Sequence, residues 1–325
     1  MAGRRAVVVG DVMVDEYVWG NVGRISPEAP VMVVDVREDS WTPGGAANVV
    51  NNIQALGGTS TIIGVIGSDG HGRDLKARLE DTGADVSGMV VDPHRPTTRK
   101  TRIIAHSQQV VRVDRESRKP ISKRTILDIM KRFGEQVPSA DVVIFSDYDK
   151  GMAVKEITRP LIQLALEHGK PVVVNPKPRN IKQYESATVV SLNQSEAEAA
   201  SGVRITDDKT LMRAATRLLN PRCCGPKSLI ITRGPLGLGL FDSDGFSASI
   251  PAHLVEVYDV AGAGDTLVSV LALALSAGAS LEEAANLANS GAGAVVRKVG
   301  VATVTADEIL GMEPGIRYQA LGIRR

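Results

Sequence analysis

The chain has 325 residues, 43% of them hydrophobic, enough to bury the core of one large α/β domain with an insertion or of two modest domains. Its 38 basic and 37 acidic side chains leave a formal charge of +1, and aromatics make up 3%. Both argue against a dedicated nucleic-acid binder, which needs a basic surface and stacking rings.

The opening "MAGRR" is followed by "AVVVGDVMVD", which reaches a charge too early for a signal peptide. The strands that follow are expected at 6–9, 61–66, 141–145, 171–174, 188–192 and 228–232. Helical patterns lie between them at 47–56, 73–81, 123–136, 154–168, 194–200 and 211–219. Near-continuous apolar strands alternating with helices predict a mostly parallel sheet covered on both faces. Residues 31–36 and 99–114 are strand-like with no helix beside them, and the second alternates in "TRKTRIIAHSQQVVRVD". They are expected to form antiparallel strands of a small added sheet, a lid over a cleft or an oligomer interface. Cys223 and Cys224, the two cysteines, are neighbours that cannot readily close an unstrained disulfide and are too few for a zinc site, so reduced thiols are expected. The longest apolar run, 267–277, falls short of the ~20 residues of a membrane span, and a cytoplasmic protein without membrane partners is expected. The C-terminal third ("LEEAANLANSGAGAVVRK") predicts closely packed helices. With no tandem repeat or long linker, one domain over 1–325 is expected, with lid segments at about 12–42 and 95–116.

Several local patterns can carry chemistry, each with an ordinary structural alternative. In "GDVMVDEY", Asp11 directly follows the first strand and Asp15 comes four residues later. Carboxylates at a sheet's carboxyl edge suit recognition of vicinal hydroxyls, and equally serve as caps or turn residues. In "PGGAANVVNNIQALGG", Gly44 and Gly45 bring backbone amides beside a cleft with no Cβ in the way, and Asn48 can both donate to and accept from a hydroxyl. A tight turn before a core helix is the alternative. In "SLNQSEAEAASG", Asn193 and Glu196 stand three apart at a helix start, either as a capping pattern or as a polar pair near metal and phosphate. In "TRGPLGLGLF", Thr232 ends a strand and Gly234 and Gly237 follow, a weak signal that is neither a Walker loop nor G-x-G-x-x-G. In "VYDVAGAGDTLVSVLALAL", Gly262, Ala263 and Gly264 precede a helix expected over 265–275. Free amides and the helix dipole would make an anion cradle there, with Asp265 set inside it.

The order of these patterns carries more than any one of them. Gly-Gly-Ala-Ala-Asn near 45, N-x-x-E near 195, T-R-G near 233 and D-x-x-G-A-G-D near 262 resemble the ribokinase/PfkB sugar-kinase family over essentially the whole chain. Inside it, "GDVMVDEYVWGNVGRISPEAPVMVV", "SQQVVRVD" and "SDYDKG" look like the kinase domain of the bifunctional heptose enzymes of lipopolysaccharide biosynthesis. The H-x-G-H motif of their nucleotidyltransferase domain is missing, so a stand-alone kinase is expected.

The resemblance implies a ribokinase-like α/β fold with a small β-sheet lid, and transfer of the ATP γ-phosphate to a sugar hydroxyl. It implies Asp265 as catalytic base and Gly262, Ala263 and Gly264 as anion hole. Asn193, Glu196, Thr232, Gly234 and Gly237 are implied for ATP, with Asn289 near the adenine. Mg²⁺ is expected near Glu196 through water, without a direct protein ligand, and a monovalent cation such as K⁺ fits the family. Asp11, Asp15, Gly44, Gly45 and Asn48 are expected on the sugar. The acceptor implied most closely, D-glycero-D-manno-heptose 7-phosphate, already carries a phosphate and calls for basic groups. The candidates are Arg99, Lys100, Arg102, Lys150, Lys177 and Arg24. A homodimer through the lid strands is expected. Two departures stand out: Ala261 where many relatives have Thr, and Asn175 where heptose kinases often have Asp. A kinase for a fructose- or ribose-like acceptor, a non-catalytic sugar-binding regulator and a structural role remain alternatives.

Overall fold

Successive side chains of the first strand, β1 (Arg5–Gly10), enter opposite cores: Ala6 and Val8 join one apolar cluster, Val7 and Val9 the other. A continuous apolar strand is thereby buried on both faces, as a parallel sheet requires. The computed structural model describes residues 1–312 apart from 107, 118 and 246. From β1 the chain runs through β2 (Val12–Ile25) and β3 (Met32–Gly45) into α1 (Ala46–Ala55). There follow β4 (Thr59–Ile63), β5 (Val65–Ile66), α2 (Gly70–Asp81), β6 (Val90–Val91) and the hairpin of β7 (Thr98–Ala105) with β8 (Gln108–Arg115). Next come α3 (Lys123–Gln136), β9 (Val142–Ser146), α4 (Lys155–Glu167), β10 (Val172–Asn175) and β11 (Val189–Asn193). They lead to α5 (Gln194–Ser201), α6 (Asp208–Leu219) and β12 (Ser228–Thr232). The hairpin of β13 (Leu238–Asp242) with β14 (Ser247–Ile250) precedes α7 (Ala263–Ser276), α8 (Leu281–Val295) and α9 (Ala306–Leu310).

The main sheet has eight strands in the order β14-β13-β12-β11-β10-β9-β1-β4. From β12 to β4 the pairs are parallel, and β13 and β14 add antiparallel at one edge. Helices α1, α2, α7 and α8 cover one face and α3 to α6 the other. The register sets Gly10 beside Ser146, Ser146 beside Asn175, and Asn193 beside Thr232. The carboxyl ends of the parallel strands therefore share one edge, where open α/β sheets bind ligands.

A second sheet, ordered β3-β2-β7-β8, stands at that edge as a lid. Its outer pairs are antiparallel, but β2 and β7 run parallel from Met13↔Thr98 to Gly20↔Ala105. The all-antiparallel expectation is corrected here. The strand β7 is reached by a crossover through α2 rather than by a hairpin, and a crossover returns a strand parallel. Two more boundaries differ from the sequence reading. The strand β3 runs on to Gly45, so Pro-Gly-Gly belongs to a strand end, and the expected 61–66 strand breaks at Gly64. Residue 107, inside the expected second lid segment, lies outside the described residues.

Both cysteines are free; burial pushes the Cys224 thiol up to about 12, so the inert reading of this pair fits. Among the described residues, no helix is long and apolar enough to cross a membrane.

Candidate active site

Helix α7 starts at Ala263, two residues before the expected start, and this places Asp265 inside the first turn. Its N-cap is Gly262, in the left-handed region at φ 79°, where a side chain would also press on Asn48 Nδ2 at 3.1 Å. Most other helices here begin with a capping side chain: Asp69, Ser122, Asn193, Asp207, Ser280 and Thr305. No side chain caps α7. First-turn amides have no intrahelical acceptor; Ala263 N–H turns back to Val260 O at 3.3 Å, and those of Gly264 and Asp265 are left for an anion, with the helix dipole in support. The turn before it is held by Asp259, whose carboxylate accepts from Ala261 N at 2.9 Å and Gly300 N at 3.0 Å. That cap needs no hydroxyl at 261, which accommodates the alanine.

Asp265 is 5% exposed, and both its oxygens are engaged. Asn48 Nδ2 donates to Oδ2 at 2.7 Å and Tyr148 Oη donates to Oδ1 at 2.8 Å. Burial pushes its carboxyl up to about 6, opposed by those two hydrogen bonds and by the Lys177 charge, while Asp15 adds to the rise. A carboxylate with that affinity can take a proton from a hydroxyl near neutral pH. Behind it, Ser269 Oγ donates to Asp265 O at 2.7 Å, and Thr266 Oγ1 to Asn52 Oδ1 at 2.8 Å, tying α7 to α1.

Tyr148 was not among the residues singled out in the sequence. Its signal was available in "SDYDKG": a hydroxyl-bearing ring directly after a buried strand at the ligand edge. What holds it in place is Asp11. Asp11 Oδ2 accepts from the backbone N–H of Tyr148 (2.9 Å) and Lys150 (3.0 Å), and Oδ1 from Met152 N (3.1 Å). Burial and then the Asp147 charge raise this carboxyl to about 6 despite the three amides. Asp11 thus holds the backbone of the 147–152 loop, a role the sequence reading did not give it. Its neighbour Asp147, also raised by burial, accepts from Asp149 N (2.8 Å) and Lys177 N (3.0 Å).

Asp15, by contrast, faces the lid and pairs with Arg102 at 2.6 Å, the guanidinium lying 5.3 Å over the Tyr17 ring. Gly44 sits against it: a Cβ there would fall 2.0 Å from Asp15 Oδ2. Gly45 ends β3 at φ 60° and leads directly into α1, which carries Asn48. The other expected lid cations also have carboxylates beside them: Arg99 with Glu16 (3.8 Å), Lys100 with Asp114 (3.7 Å) and Lys150 with Glu116 (2.6 Å). Arg24 lies exposed toward the far end of β2.

On the other side of Asp265, Asn193 and Glu196 realise the capping reading of their spacing. Asn193 Oδ1 accepts from Glu196 N at 2.9 Å, and Glu196 Oε2 accepts from Asn193 N at 3.1 Å, a reciprocal cap. Glu196 Oε1 is left over, and Lys177 Nζ reaches it at 2.6 Å. Lys177 was expected among the cations for the acceptor's own phosphate. In this structure it pairs with Glu196, and its backbone N–H is held by Asp147. Thr232 closes β12, and Gly234 opens onto free space at φ 55°. Gly237 does not line that space; it packs against the backbone of 250–252. Asn289, on α8, donates to Pro251 O at 2.9 Å. Among the described residues, no group of three or more His, Cys, Asp or Glu side chains could hold a metal. With Glu196 as a lone carboxylate already shared with Lys177, these residues fit a Mg²⁺ bound mainly by phosphate oxygens and water.

Comparison with known proteins agrees with this arrangement. The family model described as pfkB family carbohydrate kinase matches residues 4–308. Bifunctional protein HldE of Desulfatibacillum aliphaticivorans is 45% identical over 97% of this chain, which covers 65% of that protein. The HldE of Geobacter metallireducens is 45% identical over 94% of the chain, covering 62% of it. The chain thus spans less than two thirds of the length of these curated relatives. Among solved structures, phosphofructokinase-2 from Escherichia coli in complex with substrates and products aligns with a TM-score of 0.78 at 20% identity, over 95% of this chain and 98% of that one. Arabidopsis thaliana ribokinase complexed with ribose and ATP gives 0.74 at 19%, over the same shares. Those likenesses establish a ribokinase-like α/β fold with a small mixed-sheet lid. By family match and fold together, the chain belongs to the pfkB family of carbohydrate kinases.

Proposed function

We propose that this chain transfers the γ-phosphate of ATP to the anomeric hydroxyl of D-glycero-D-manno-heptose 7-phosphate. The observation that carries the reading is the buried Asp265, set in the uncapped first turn of α7 between Asn48 and Tyr148. The likeness to the HldE proteins supports the heptose acceptor. In this mechanism the acceptor hydroxyl lies against Asp265, oriented by Asn48 and Asp15. Asp265 takes its proton as the oxygen bonds to phosphorus and the bond to the ADP oxygen breaks. The amides of Gly264 and Asp265 face the phosphoryl oxygens as their charge redistributes. Glu196 would hold a Mg²⁺ through water, and that ion would supply neutralisation of the phosphate charge. The lid sheet carrying Asp15 and Arg102 excludes water and so limits ATP hydrolysis.

The discriminating experiment is a kcat/KM panel of heptose 7-phosphate against free hexoses, pentoses and their phosphates, followed by ADP release. Heptose 7-phosphate is expected to lead. A second reading, a fructose- or ribose-like acceptor, draws on the carboxylate partners of Arg99, Lys100, Arg102 and Lys150. An acceptor phosphate has to share one of those cations with its carboxylate, and a free pentose or hexose brings no further anion there. A free sugar at the head of the panel would establish that alternative.

Gly44→Ala checks the acceptor side separately. The new methyl displaces the Asp15 carboxylate, so the acceptor KM is expected to rise at least about tenfold while the ATP KM holds. Equal changes in both would place Asp15 outside the acceptor pocket. Exposed apolar residues on the lid strands, among them Trp19, Met32, Val36, Val111 and Val113, support a homodimer through the lid, which light scattering checks. A cytoplasmic location goes with ATP as cosubstrate.

A further inference from the structure

We infer that Lys177 is a catalytic cation for the phosphoryl-transfer step, its ammonium contacting the γ-phosphoryl group as it passes from ADP to the acceptor oxygen. The inference rests on the kinase reading above and assigns a role which that reading leaves open.

Asp265 and Glu196 flank Tyr148 and Lys177: Tyr148 Oη donates to Asp265 Oδ1 at 2.8 Å, and Lys177 Nζ, over the Tyr148 ring, reaches Glu196 Oε1. A phosphoryl group brought between two carboxylates is repelled by both unless a cation stands there, because charges a few ångströms apart in a partly buried cleft interact strongly. Backbone amides supply only partial charges. Among the described residues, Lys177 is the cation in contact with this space. Its Nζ is 2.6 Å from Glu196 Oε1 and 5.3 Å from the centroid of the Tyr148 ring, whose Oη reaches Asp265 Oδ1 at 2.8 Å. Its charge is also felt at Asp265, where it favours the carboxylate.

The delivery is stiff. Lys177 lies between two prolines in "NPKP", which fix the backbone on either side. Its own N–H is tied to the buried Asp147, which also takes Asn180 Nδ2 at 3.1 Å. The aliphatic stem is half-buried against the cleft wall, and the ring of Tyr148 lies under the ammonium as a cation–π platform. An ammonium has three N–H donors, so one can stay on Glu196 while two turn to phosphoryl oxygens. Lys177 keeps its proton throughout. The acceptor's proton goes to Asp265, a P–O bond forms to the acceptor, and the P–O bond to ADP breaks.

Two other roles are open to this side chain and have different consequences. A cation for the acceptor's own phosphate would act on acceptor binding. A purely structural partner of Glu196 would act on stability and nucleotide affinity. The test compares Lys177→Met, Lys177→Gln and Lys177→Arg with the wild-type chain. It uses steady-state kinetics with the leading acceptor, calorimetric titration of Mg·ADP with and without aluminium fluoride, and thermal unfolding. We expect Met and Gln to lower kcat by about 10²–10³-fold with both KM values within about threefold, and Arg to recover part of the loss. Affinity for Mg·ADP is expected to hold, while the tightening produced by aluminium fluoride, which mimics the phosphoryl group in transfer, disappears. The inference is overturned by an unchanged kcat, by a loss confined to the acceptor KM, or by equal weakening of ADP with and without aluminium fluoride. Loss of folding in Met and Gln together would assign Lys177 the structural role and overturn it as well. Failure of the kinase reading looks different: the wild-type chain itself would turn over no acceptor and show no aluminium fluoride effect.

Discussion

Asp265→Asn lowers kcat by about 10²–10⁴-fold while calorimetry finds ATP binding nearly unchanged, if the proposed base is assigned correctly. An amide cannot accept the hydroxyl proton, yet it keeps the shape and one acceptor oxygen for Asn48. The wild-type pH profile follows from the same carboxylate. Burial holds its pKa at about 6, and the ionised form is the competent base, so kcat climbs as pH rises through about 6 and levels off above it. Stability moves the opposite way. Between the ordinary 3.8 and about 6 the folded state retains a proton that the unfolded chain has released, so this group's contribution falls as pH rises through that window. Removing the ionisable group at neutral pH is therefore expected to leave the unfolding midpoint unchanged or higher, while activity collapses. A concurrent fall in both would mean that Asp265 serves structure instead.

Asp11→Ala has the largest expected effect on stability. Its carboxylate accepts three backbone N–H groups 137 to 141 residues away in sequence. Each buried amide left without a partner costs roughly 1–3 kcal/mol, so a loss of about 3 kcal/mol or more is expected in denaturant unfolding. The loop should loosen with it. Amide exchange at Tyr148, Lys150 and Met152 is expected to speed up, and kcat to fall as Tyr148 loses its hold on Asp265. Asp11→Asn, which retains one carbonyl oxygen, should fall between. If Asp11→Ala raised only the acceptor KM, with stability and exchange unchanged, the sugar-contact role would stand after all.

Much of this architecture is legible along the chain because it is written in local periodicity. The β1, β9 and β12 strands read as apolar runs, and α3 matches its sequence-based bounds. The reading failed where partners are remote. Nothing local in "GDVMVDEY" tells Asp11 from Asp15. One turns back to hold a loop more than a hundred residues on, and the other meets Arg102 across the lid. Tyr148 went unnoticed because its importance comes from Asp265, 117 positions away. The direction of β7 depends on how the crossover through α2 returns, which alternation within a strand cannot report. The start of α7 was set two residues late: Gly264 lies within the first turn, and Gly262 before it takes the left-handed conformation. For Asn193 and Glu196 the cap uses only part of the carboxylate. One oxygen of Glu196 closes the cap and the other meets Lys177.

The central claim is the transfer itself, and phosphorus NMR of the wild-type chain with Mg·ATP and D-glycero-D-manno-heptose 7-phosphate tests it most directly. The expected result is one new phosphate resonance coupled to the anomeric proton, appearing in step with one ADP per sugar. Inorganic phosphate released in place of a phosphorylated sugar, or ATP left intact with every acceptor offered, would contradict it.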